Sequence, residues 1–568
     1  MLKLKKKLSE KLLEGITALN SESGLTASEI SEMLEYPPDA AMGDLALPCF
    51  KLSKTLRRSP VMIAETLALS LDTDLLSRVE AVNGYLNMYI SDKYYSEEVL
   101  SDVLSKGEKY GAPDFGKGKT VVLDYSSPNV AKPFHIGHLG TTVIGHSLKK
   151  LHEFAGYNCI GINYLGDWGT QFGKLIVAYR KWGSKAEVEE GGVDKLVELY
   201  VKFHGEAEKD KSLEDEARAE FTKLEHGDEE NLALWRWFVD VSLAEYKQTY
   251  KLLDIEFDSY KGESFYTDKM PAQVQLLRDK GLLKIDDGAS IVDLEEYNMP
   301  PCLILKRDGS TLYPTRDIAA AVYRKNEYNF DKAIYVTSAG QSLHFAQWFK
   351  VVELMGYDWY GQLVHVPYGT VSINGAKLAT RTGNVILLRD LFAQAIEKVS
   401  DIIDEKNPNL ENKKQVAEDV GVGAIIFYYL SNNRMRDINF IMEDALSFDG
   451  NTGPYVQYTY ARTCSILQKS KICEGEDKIT APEERTLLSA ISRFEEKVVE
   501  AIEAYEPSII TRYILDIAVA FNQFYHNCQI LGAEDEAVRA TRIKITKAAN
   551  TVLGNAFSLI CLKKTEKI

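Results

Sequence analysis

Short apolar runs alternate with longer helical patterns through the middle of the chain. The strand-like runs are Val121–Tyr125, Cys159–Tyr164, Ala333–Val336 and Leu363–His365. Their alternation with helix-like segments predicts an α/β domain built on a parallel sheet over about residues 119–395. A polar stretch at about 180–250, rich in Glu, Lys, Leu and Ala, interrupts this pattern and favours a helical insertion packed on the outside of the domain.

A separate unit is expected on each side of this α/β region. Residues 1–105 begin with a helical pattern and contain a strand-like run, Val79–Ile90, so an α+β unit is predicted there. The Gly and Pro residues of 111–118 indicate a linker. From about 396 to 568 Pro and Gly become scarce and helical periodicity dominates, which predicts an all-α domain. Its clearest helical patterns are Val416–Tyr429, Glu483–Tyr505, Ile509–His526 and Glu536–Leu553.

The strongest candidate chemistry lies in the tetrapeptide His135-Ile136-Gly137-His138. It follows the breaker-rich stretch Ser126–Asn129 and precedes a helix-like run, Thr142–Leu148. A strand, a tight loop and a helix N-terminus direct free N–H groups at one point, which suits a nucleotide triphosphate. His135 and His138 are three residues apart and would share a helix face. Gly137 would let a flat ring lie against the backbone.

Other interpretations of the histidine pair have to be compared with the nucleotide site. An arbitrary pair of histidines three apart on a helix is most often solvated or partly buried. Zinc would need further ligands, yet the HExxH spacing is absent and no cysteine pair lies nearby, so no metal ligands are predicted.

Gly111 and Gly116-Lys117 nearly complete a phosphate-binding Walker loop. Gly118 stands where Ser or Thr would be required, and the strand follows instead of preceding, so 111–118 is interpreted as an ordinary loop.

Composition limits the class of protein. A chain of 568 residues is long enough for three or four domains, and 45% hydrophobic and 26% charged residues are typical of a globular protein. No apolar run approaches the roughly 18–20 residues of a membrane span. The seven cysteines are scattered without a CxxC pair, which favours free thiols and a cytoplasmic location. The net charge of −16 neither supports nor excludes RNA binding, because a polyanion needs local positive charge.

Taken whole, Ser126–Leu139 resembles the signature of class I aminoacyl-tRNA synthetases, in the form found in the arginyl-tRNA synthetase family, with Asn129 and Lys132 before the histidines. The segment 375–384 resembles the mobile KMSKS loop of the same class, although basic loops between glycines are otherwise usually solvated turns. Thr380 replaces the second lysine of that loop. The resemblance implies that Lys132 supplies the missing charge, and it extends over about residues 1–560.

The resemblance implies a reaction in which arginine, ATP and tRNA yield arginyl-tRNA, AMP and diphosphate. The catalytic residues would be Lys132, His135, His138, Lys377 and Arg381. ATP would contact His135, Gly137, His138 and Lys377, and Mg²⁺ would bridge its phosphates. The expected partners are tRNA(Arg), L-arginine and ATP, without a membrane, and the expected state is a monomer.

A pocket for a guanidinium, which is planar and always charged, should offer carboxylates and an aromatic ring. Tyr313 and Asp317 are four apart and would share one face near a helix N-terminus, with Pro314 as the first helical residue. Each candidate alone is more often a surface residue, so the prediction rests on the set and on its similarity to family motifs. The predicted arginine-binding residues are Asn129, Glu263, Tyr313, Asp317 and Gln341. The family-like segment Gly166–Gly173 suggests a loop over the pocket, with no role assigned to Asp167 or Gln171.

Contacts with tRNA are expected at both ends of the chain. Tyr455, Tyr458 and Arg462 would lie on one helix face, where they could stack on unpaired bases, although such a stripe is otherwise more often core. Segments 448–462 and 522–526 resemble the family's anticodon-binding domain, and 83–87 resembles its domain for the tRNA elbow. The predicted tRNA-binding residues are Tyr85, Asn87, Tyr455, Tyr458, Arg462 and Tyr525. The tail 562–568 departs from the family pattern, which puts any anticodon contact there in doubt.

Two alternatives stay open at this point. One is a class I synthetase for another amino acid, against which the acidic and aromatic pocket residues argue. The other is a tRNA-binding relative without catalytic activity, suggested by the unusual tail and by the loosely matched KMSKS-like loop.

Overall fold

The fold is that of a computed structural model, which describes residues 1–373, 375–377, 386–471 and 476–568, with the backbone alone at Ala40, Ala376 and Lys377. The N-terminal region combines helices with an antiparallel sheet of order β1-β3-β2. Its elements are α1 (Leu2–Leu19), α2 (Ala27–Met33), β1 (Leu45–Pro48), α3 (Phe50–Leu56), α4 (Pro60–Ser70), β2 (Leu76–Val82), β3 (Tyr85–Ile90), the π-helical stretch Tyr94–Leu100 and α5 (Ser101–Lys106).

The predicted run Val79–Ile90 belongs to a hairpin of two strands, β2 and β3. Asn83 and Gly84 form its turn with φ of 51° and 83°, a left-handed pair that asparagine and glycine adopt more readily than other residues. The α+β character predicted for this region is confirmed.

The α/β region is built on a parallel sheet of order β10-β9-β4-β5, and the four predicted strands are all present. The elements before the insertion are β4 (Thr120–Asp124), α6 (Leu139–Phe154) and β5 (Asn158–Ile162). The insertion consists of α7 (Thr170–Trp182), α8 (Lys185–Lys209), α9 (Ser212–Glu225) and α10 (Glu229–Leu253). These helices enclose an apolar cluster of their own, centred on residues such as Phe172, Phe203 and Phe238, so the predicted helical insertion is confirmed.

Beyond the insertion the chain completes the sheet. The elements are α11 (Met270–Asp279), β6 (Leu283–Asp286), β7 (Ala289–Val292), β8 (Cys302–Leu305), α12 (Tyr313–Tyr328), β9 (Lys332–Ser338), α13 (Ser342–Leu354), β10 (Leu363–Tyr368), β11 (Val371–Ile373) and β12 (Ala376–Lys377). Strands β6, β7 and β8 form a small antiparallel sheet that was not predicted. They are four residues each and β6 is mostly exposed, so they lack an apolar pattern long enough to be recognised.

The described part of the C-terminal region, residues 396–471 and 476–568, is helical as predicted, apart from one short strand. Its elements are α14 (Leu388–Lys406), α15 (Lys413–Leu430), β13 (Ile438–Phe440), α16 (Met442–Ala445), α17 (Gly453–Gln468), α18 (Pro482–Ser492), α19 (Phe494–Glu503), α20 (Ser508–Asn527) and α21 (Glu536–Leu559). Strand β13 pairs in parallel with β11, so it belongs to the α/β region in space.

The single helix predicted at 483–505 is two helices, α18 and α19, that meet at Arg493. The Arg493 guanidinium lies 4.0 Å from the ring centroid of Tyr36 in the N-terminal region, and the side chain of Phe494 is fully buried. Contacts with another domain therefore accompany a break that no Gly or Pro marks in the sequence. Among the described residues, no helix is long and apolar enough to cross a membrane.

Candidate functional site

A cavity of about 500 Å³ opens at the carboxyl ends of the parallel strands. The chain runs from β4 to β5 on one side and later returns to β9 on the other, so β4 and β9 meet at a reversal of strand order. Ligands of open α/β sheets bind at such reversals. Of the predicted site residues, those lining this cavity are Asn129, His138, Glu263, Tyr313, Asp317 and Gln341.

The loop that connects β4 to the histidines has an unusual backbone. Ser126, Ser127 and Ala131 all have positive φ, of 70°, 47° and 55°. Such conformations cost of order 1–3 kcal/mol each and persist only where neighbouring contacts impose them. The Ser126 amide donates to Thr141 Oγ1 at 3.0 Å, and its hydroxyl lies 2.8 Å from Thr142 Oγ1. The start of α6 thus holds one end of the loop.

Helix α10 of the insertion holds the rest of this loop. The Tyr250 hydroxyl lies 2.7 Å from Ser126 Oγ, and the Ala131 amide donates to Ser242 Oγ at 3.0 Å. Tyr246 lies between them, and its hydroxyl contacts the carbonyl oxygens of Asn129 and Lys132 at 2.8 Å each. Sequence reasoning missed these three α10 side chains. Their spacing of four residues was the available signal, because it places three polar groups on one helix face.

His135 precedes a 3₁₀ turn, Ile136–His138, and His138 ends it. The two histidines do not share the face of an α-helix, which begins only at Leu139. The turn still brings the rings together, with centroids 4.1 Å apart. The Gly137 amide donates to His135 Nδ1 at 3.0 Å, and the His135 amide donates to His138 Nδ1 at 3.2 Å. Because its Nδ1 accepts a hydrogen bond, the His135 ring carries its proton on Nε2. His138 Nδ1 also lies 3.3 Å from the His135 carbonyl oxygen.

Burial lowers the pKa of both histidines, and that of His138 falls to about 3. Both rings are therefore neutral near pH 7. A neutral imidazole ring can donate one hydrogen bond, but the positive charge for a polyphosphate must come from lysine and arginine.

Lys132 supplies one such charge from an exposed position on the same loop. Lys377 lies on β12, where its backbone pairs with Ser372 of β11. The Lys377 side chain, Thr380 and Arg381 lie outside the described residues. The chain resumes beside the histidines, where the Ile136 amide donates to the Ile386 carbonyl at 3.1 Å. Ile386, which follows the KMSKS-like segment in the chain, is thus hydrogen-bonded to the histidine turn.

Two carboxylates face the cavity from different elements. Glu263 is the first residue of the 3₁₀ helix Glu263–Lys269, which follows α10, and Asp317 lies in the first turns of α12. Glu263 Oε2 accepts a hydrogen bond from Arg316 Nη1 at 2.6 Å, and Asp317 Oδ2 lies 2.6 Å from His344 Nε2. The Tyr313 side chain, 67% exposed, lies at the mouth. Helix α12 begins at Tyr313, so Pro314 is its second residue and not the first as predicted.

The turn that carries Glu263 is held by Asp167. Both Asp167 oxygens accept hydrogen bonds from Ser264, from its amide at 2.8 Å and from its hydroxyl at 2.7 Å. A Cβ at Gly262 would lie only 2.6 Å from the Asp167 carboxyl, so glycine is required there. Asp167 is therefore a structural support for Glu263. Gln171 donates to the Trp168 carbonyl at 3.4 Å, at the start of α7.

Burial raises the pKa of Glu263 to about 7. The positive charge of Arg316 opposes this rise, whereas the carboxyls of Asp317 and Asp167 add to it. Lys132 also lowers the pKa. A cationic ligand in the cavity would stabilise the ionised form further.

A buried ion pair forms the floor of the cavity and was missed by sequence reasoning. Asp124, the last residue of β4, accepts from Arg324 Nη1 at 2.7 Å and from the Ser127 hydroxyl at 3.0 Å. Burial raises the pKa of Asp124, and the Arg324 guanidinium opposes that effect. The Arg324 guanidinium also lies 5.1 Å from the Tyr164 ring centroid. The position of Asp124 at the carboxyl end of the first parallel strand was the available signal.

A second group of predicted residues meets on the C-terminal helices. The Arg462 guanidinium of α17 lies 5.0 Å from the Tyr458 ring and 4.8 Å from the Tyr525 ring of α20. Both tyrosines are exposed, and a groove of about 590 Å³ runs beside Arg462 and Tyr525. Tyr455 is half-buried, and its hydroxyl accepts from Asn522 Nδ2 at 2.9 Å. We call Tyr458, Arg462 and Tyr525 the tyrosine–arginine cluster.

Tyr85 and Asn87, the residues of the N-terminal region predicted to bind tRNA, differ in their exposure. Tyr85 is exposed and packs edge-on against Phe50, with ring centroids 4.7 Å apart. Asn87 is only 7% exposed. The Asn87 side chain is therefore buried and is not exposed for the tRNA contact predicted for it.

Comparison with known proteins assigns this sheet and histidine turn to the class I aminoacyl-tRNA synthetases. Residues 99–442 match the family of tRNA synthetases class I (R), catalytic domain, and residues 456–568 match the DALR anticodon binding domain. Residues 3–90 match the arginyl tRNA synthetase N terminal domain. The chain belongs to the arginyl-tRNA synthetase family.

Relatives agree with this assignment over their full lengths. An arginine–tRNA ligase of Alkaliphilus metalliredigens is 53% identical over 96% of this chain and 97% of that protein. One of Halothermothrix orenii is 49% identical over 100% of both chains. The structure of the Thermus thermophilus arginyl-tRNA synthetase has a TM-score of 0.82 at 24% identity and covers 99% of this chain and 100% of that one, which shows the shared fold.

Proposed function

We propose that this protein is an arginine–tRNA ligase, which activates L-arginine with ATP and transfers it to tRNA(Arg). The observation that carries the choice of amino acid is the pair of carboxylates, Glu263 and Asp317, in one cavity with the Tyr313 ring at its mouth. Two carboxylates and an aromatic face match a planar cation with five donors. Relatives about 50% identical over the whole chain carry the name arginine–tRNA ligase, which supports the proposal.

In the first step the arginine carboxylate attacks the α-phosphorus of ATP. A bond forms between that oxygen and phosphorus, the bond to the bridging oxygen breaks, and diphosphate leaves with the electron pair. The protein contributes position and charge in place of a nucleophile. Asn129 and Gln341 are proposed to hold the amino-acid end of arginine, and Glu263, Tyr313 and Asp317 its side chain.

The ATP site is proposed at the histidine turn. His135 and His138 would donate from Nε2 to oxygens of the nucleotide, and Gly137 leaves room for it. Lys132, Lys377 and Arg381 would offset charge on the departing diphosphate. Mg²⁺ would be held by phosphate oxygens and water, since the neighbouring histidine turn offers donors and not carboxylates. When bound, it supplies further positive charge to the leaving group.

In the second step the terminal ribose hydroxyl of tRNA attacks the arginyl carbonyl, and AMP leaves. The tyrosine–arginine cluster and the neighbouring Tyr455 are proposed to contact the anticodon arm, and Tyr85 the elbow. Exposed tyrosines with an arginine between them are suited to stacking on unpaired bases. We further propose a monomer in the cytoplasm.

The test is aminoacylation of purified tRNA by the purified protein with ATP and each of the twenty amino acids. We expect charging with arginine alone. Charging with a different amino acid would assign the chain to another specificity. Binding of tRNA without formation of arginyl-tRNA would instead support a non-catalytic tRNA-binding protein.

A further inference from the structure

A guanidinium of the protein itself lies against the carboxylate that is proposed to receive arginine. Arg316 Nη1 donates to Glu263 Oε2 at 2.6 Å, and both side chains are largely buried, with 14% and 18% of their surfaces exposed. Arg316 lies on α12 immediately before Asp317. Glu263 lines the cavity, whereas Arg316 does not. The guanidinium is therefore behind the carboxylate as seen from the cavity.

The second carboxylate also contacts a basic side chain, but that side chain, His344, itself lines the cavity, unlike Arg316. Asp317 also lines the cavity, and His344 Nε2 lies 2.6 Å from its Oδ2. Among the described residues, Glu263 Oε1 and Asp317 Oδ1 accept no hydrogen bond. Each carboxylate is thus held at one oxygen by a basic side chain while the other oxygen stays available for a ligand.

We propose that Arg316 is a positioning and specificity residue, whose ion pair with Glu263 Oε2 keeps Glu263 as a carboxylate oriented toward the cavity and thereby selects a cationic substrate side chain over a neutral one. This inference rests on the proposed arginine specificity. It assigns to Arg316 a role that involves no contact with substrate.

The physical reason is the cost of burying a lone carboxylate. A buried carboxyl group without a partner gains a proton, because burial disfavours its charged form. A protonated Glu263 could donate a hydrogen bond to a neutral urea group, and it would lose its Coulomb attraction to a guanidinium. Discrimination between arginine and its neutral isostere citrulline would then weaken.

The surrounding charges make Arg316 the main support for ionisation of Glu263. The carboxyls of Asp317 and Asp167 face Glu263 and favour its protonation, together with burial, which raises its pKa to about 7. The opposing cations are Arg316, in direct contact, and Lys132, which is exposed and lies on the histidine loop. His344 contacts Asp317.

The test replaces Arg316 with methionine, which keeps the length of the aliphatic stem without charge, in the full-length protein with tRNA and ATP. We expect kcat/KM for arginine at pH 7 to fall about fivefold and the acidic limb of its pH profile to move up by about one unit. The reduction in kcat/KM for arginine, relative to the unmodified protein, should become smaller near pH 9. The preference for arginine over citrulline, measured by competitive inhibition, should decrease, and KM for ATP should stay within about twofold.

Three variants make the outcome unambiguous. Arg316→Lys should keep most of the activity at pH 7, because charge is retained. Arg218→Met, at an exposed arginine of α9, should leave the profile unchanged. Glu263→Gln should abolish the pH dependence assigned to this pair. Arg316→Gln repeats the test if circular dichroism shows that Arg316→Met is unfolded.

The inference fails if Arg316→Met leaves the acidic limb in place, or if it binds arginine more tightly at every pH, which would make Arg316 a competitor of the substrate. A normal KM for arginine in Glu263→Gln would instead remove Glu263 from the proposed arginine site. A defect in Glu263→Gln together with a normal Arg316→Met would overturn only the role of Arg316.

Discussion

At the scale of single residues, Glu263 shows how the surroundings of a side chain set its chemistry. Its pKa is raised from 4.5 to about 7, first by burial. The folded protein therefore binds this proton more tightly than the unfolded chain does. Protonated Glu263 therefore contributes to the free energy of unfolding at low pH, and this contribution is lost as pH rises from about 4.5 to about 7. The affinity for a cationic ligand changes with pH in the opposite direction, because binding requires the ionised carboxylate.

Removal of the negative charge of Glu263 should weaken the binding of arginine and not that of ATP. We expect Glu263→Gln to raise KM for arginine by about tenfold or more at pH 8, since a charge-assisted contact is lost, while KM for ATP changes little. In the unmodified protein, kcat/KM for arginine should rise as pH increases from 6 to 8. Steady-state aminoacylation across this range is the measurement.

The matched control is Glu256→Gln, at an exposed glutamate a short distance before Glu263 in the same connection. It should behave as the unmodified protein. An unaltered KM for arginine in Glu263→Gln would contradict the assignment of Glu263 to the pocket.

At the scale of elements, α10 has a role that its sequence alone did not indicate. The polar composition of the insertion predicts helices on the outside of the domain, and α10 is such a helix. It also supports the loop of positive φ values through Ser242, Tyr246 and Tyr250. The loop carries Asn129 and Lys132, so the insertion sets the position of groups proposed to contact both substrates.

Loss of one hydroxyl should reveal this support. Tyr246→Phe removes the group that contacts the carbonyls of Asn129 and Lys132, and we expect it to lower the free energy of unfolding by about 1–2 kcal/mol. It should also lower kcat about tenfold, because a displaced loop misplaces Asn129 and Lys132. Chemical denaturation and steady-state aminoacylation measure the two effects.

Tyr360→Phe provides the comparison. Tyr360 is exposed, and its hydroxyl makes no hydrogen bond within the part of the chain that the structure describes. We expect it to match the unmodified protein in both measurements. Full kcat in Tyr246→Phe would show that the loop keeps its position without α10.

At the scale of the whole molecule, the C-terminal helices connect the proposed RNA surface to the catalytic domain. The tail after α21 packs onto this junction: Leu562 and Thr565 are buried, and the Lys563 carbonyl accepts from Gln457 of α17 at 3.2 Å. Lys563 Nζ lies 2.8 Å from Asp254, the residue that follows α10. The unusual tail sequence therefore has a structural place between the helical domain and the insertion.

The tyrosine–arginine cluster should act on tRNA binding and not on arginine binding. We expect Arg462→Ala to raise KM for tRNA about tenfold, because it removes a cation held between two exposed rings and its hydrogen bond to Asn522. KM for arginine and kcat at saturating tRNA should change by less than about threefold. Aminoacylation at varied tRNA concentrations checks this expectation.

A partly exposed arginine of the same domain, outside the groove beside the cluster, serves as the reference. Arg539→Gln, on α21, removes an equal charge away from the cluster and should leave KM for tRNA unchanged. An equal rise in both variants would mean that the domain attracts tRNA through its general charge. No rise in Arg462→Ala would exclude the cluster from the RNA surface.

The sequence by itself determined the parallel sheet, the helical domain and most of the pocket set. The strands of the sheet are continuous apolar runs, and periodicity marks the C-terminal helices, so local patterns were sufficient. Asn129, Glu263 and Asp317 were predicted from a resemblance, and the fold brings them to one cavity although they lie far apart in the chain.

Only the tertiary structure decided which groups hold these side chains in place. The contacts of Arg316 with Glu263, Asp167 with Ser264 and Tyr246 with the histidine loop join segments that are 53, 97 and more than 100 residues apart. The break at Arg493, which lies beside Tyr36 of the N-terminal region, and the burial of Asn87 were likewise visible only in the tertiary structure. Hydrophobic periodicity reports which face of an element is buried, but it carries no information on the partner that a polar side chain meets across such separations.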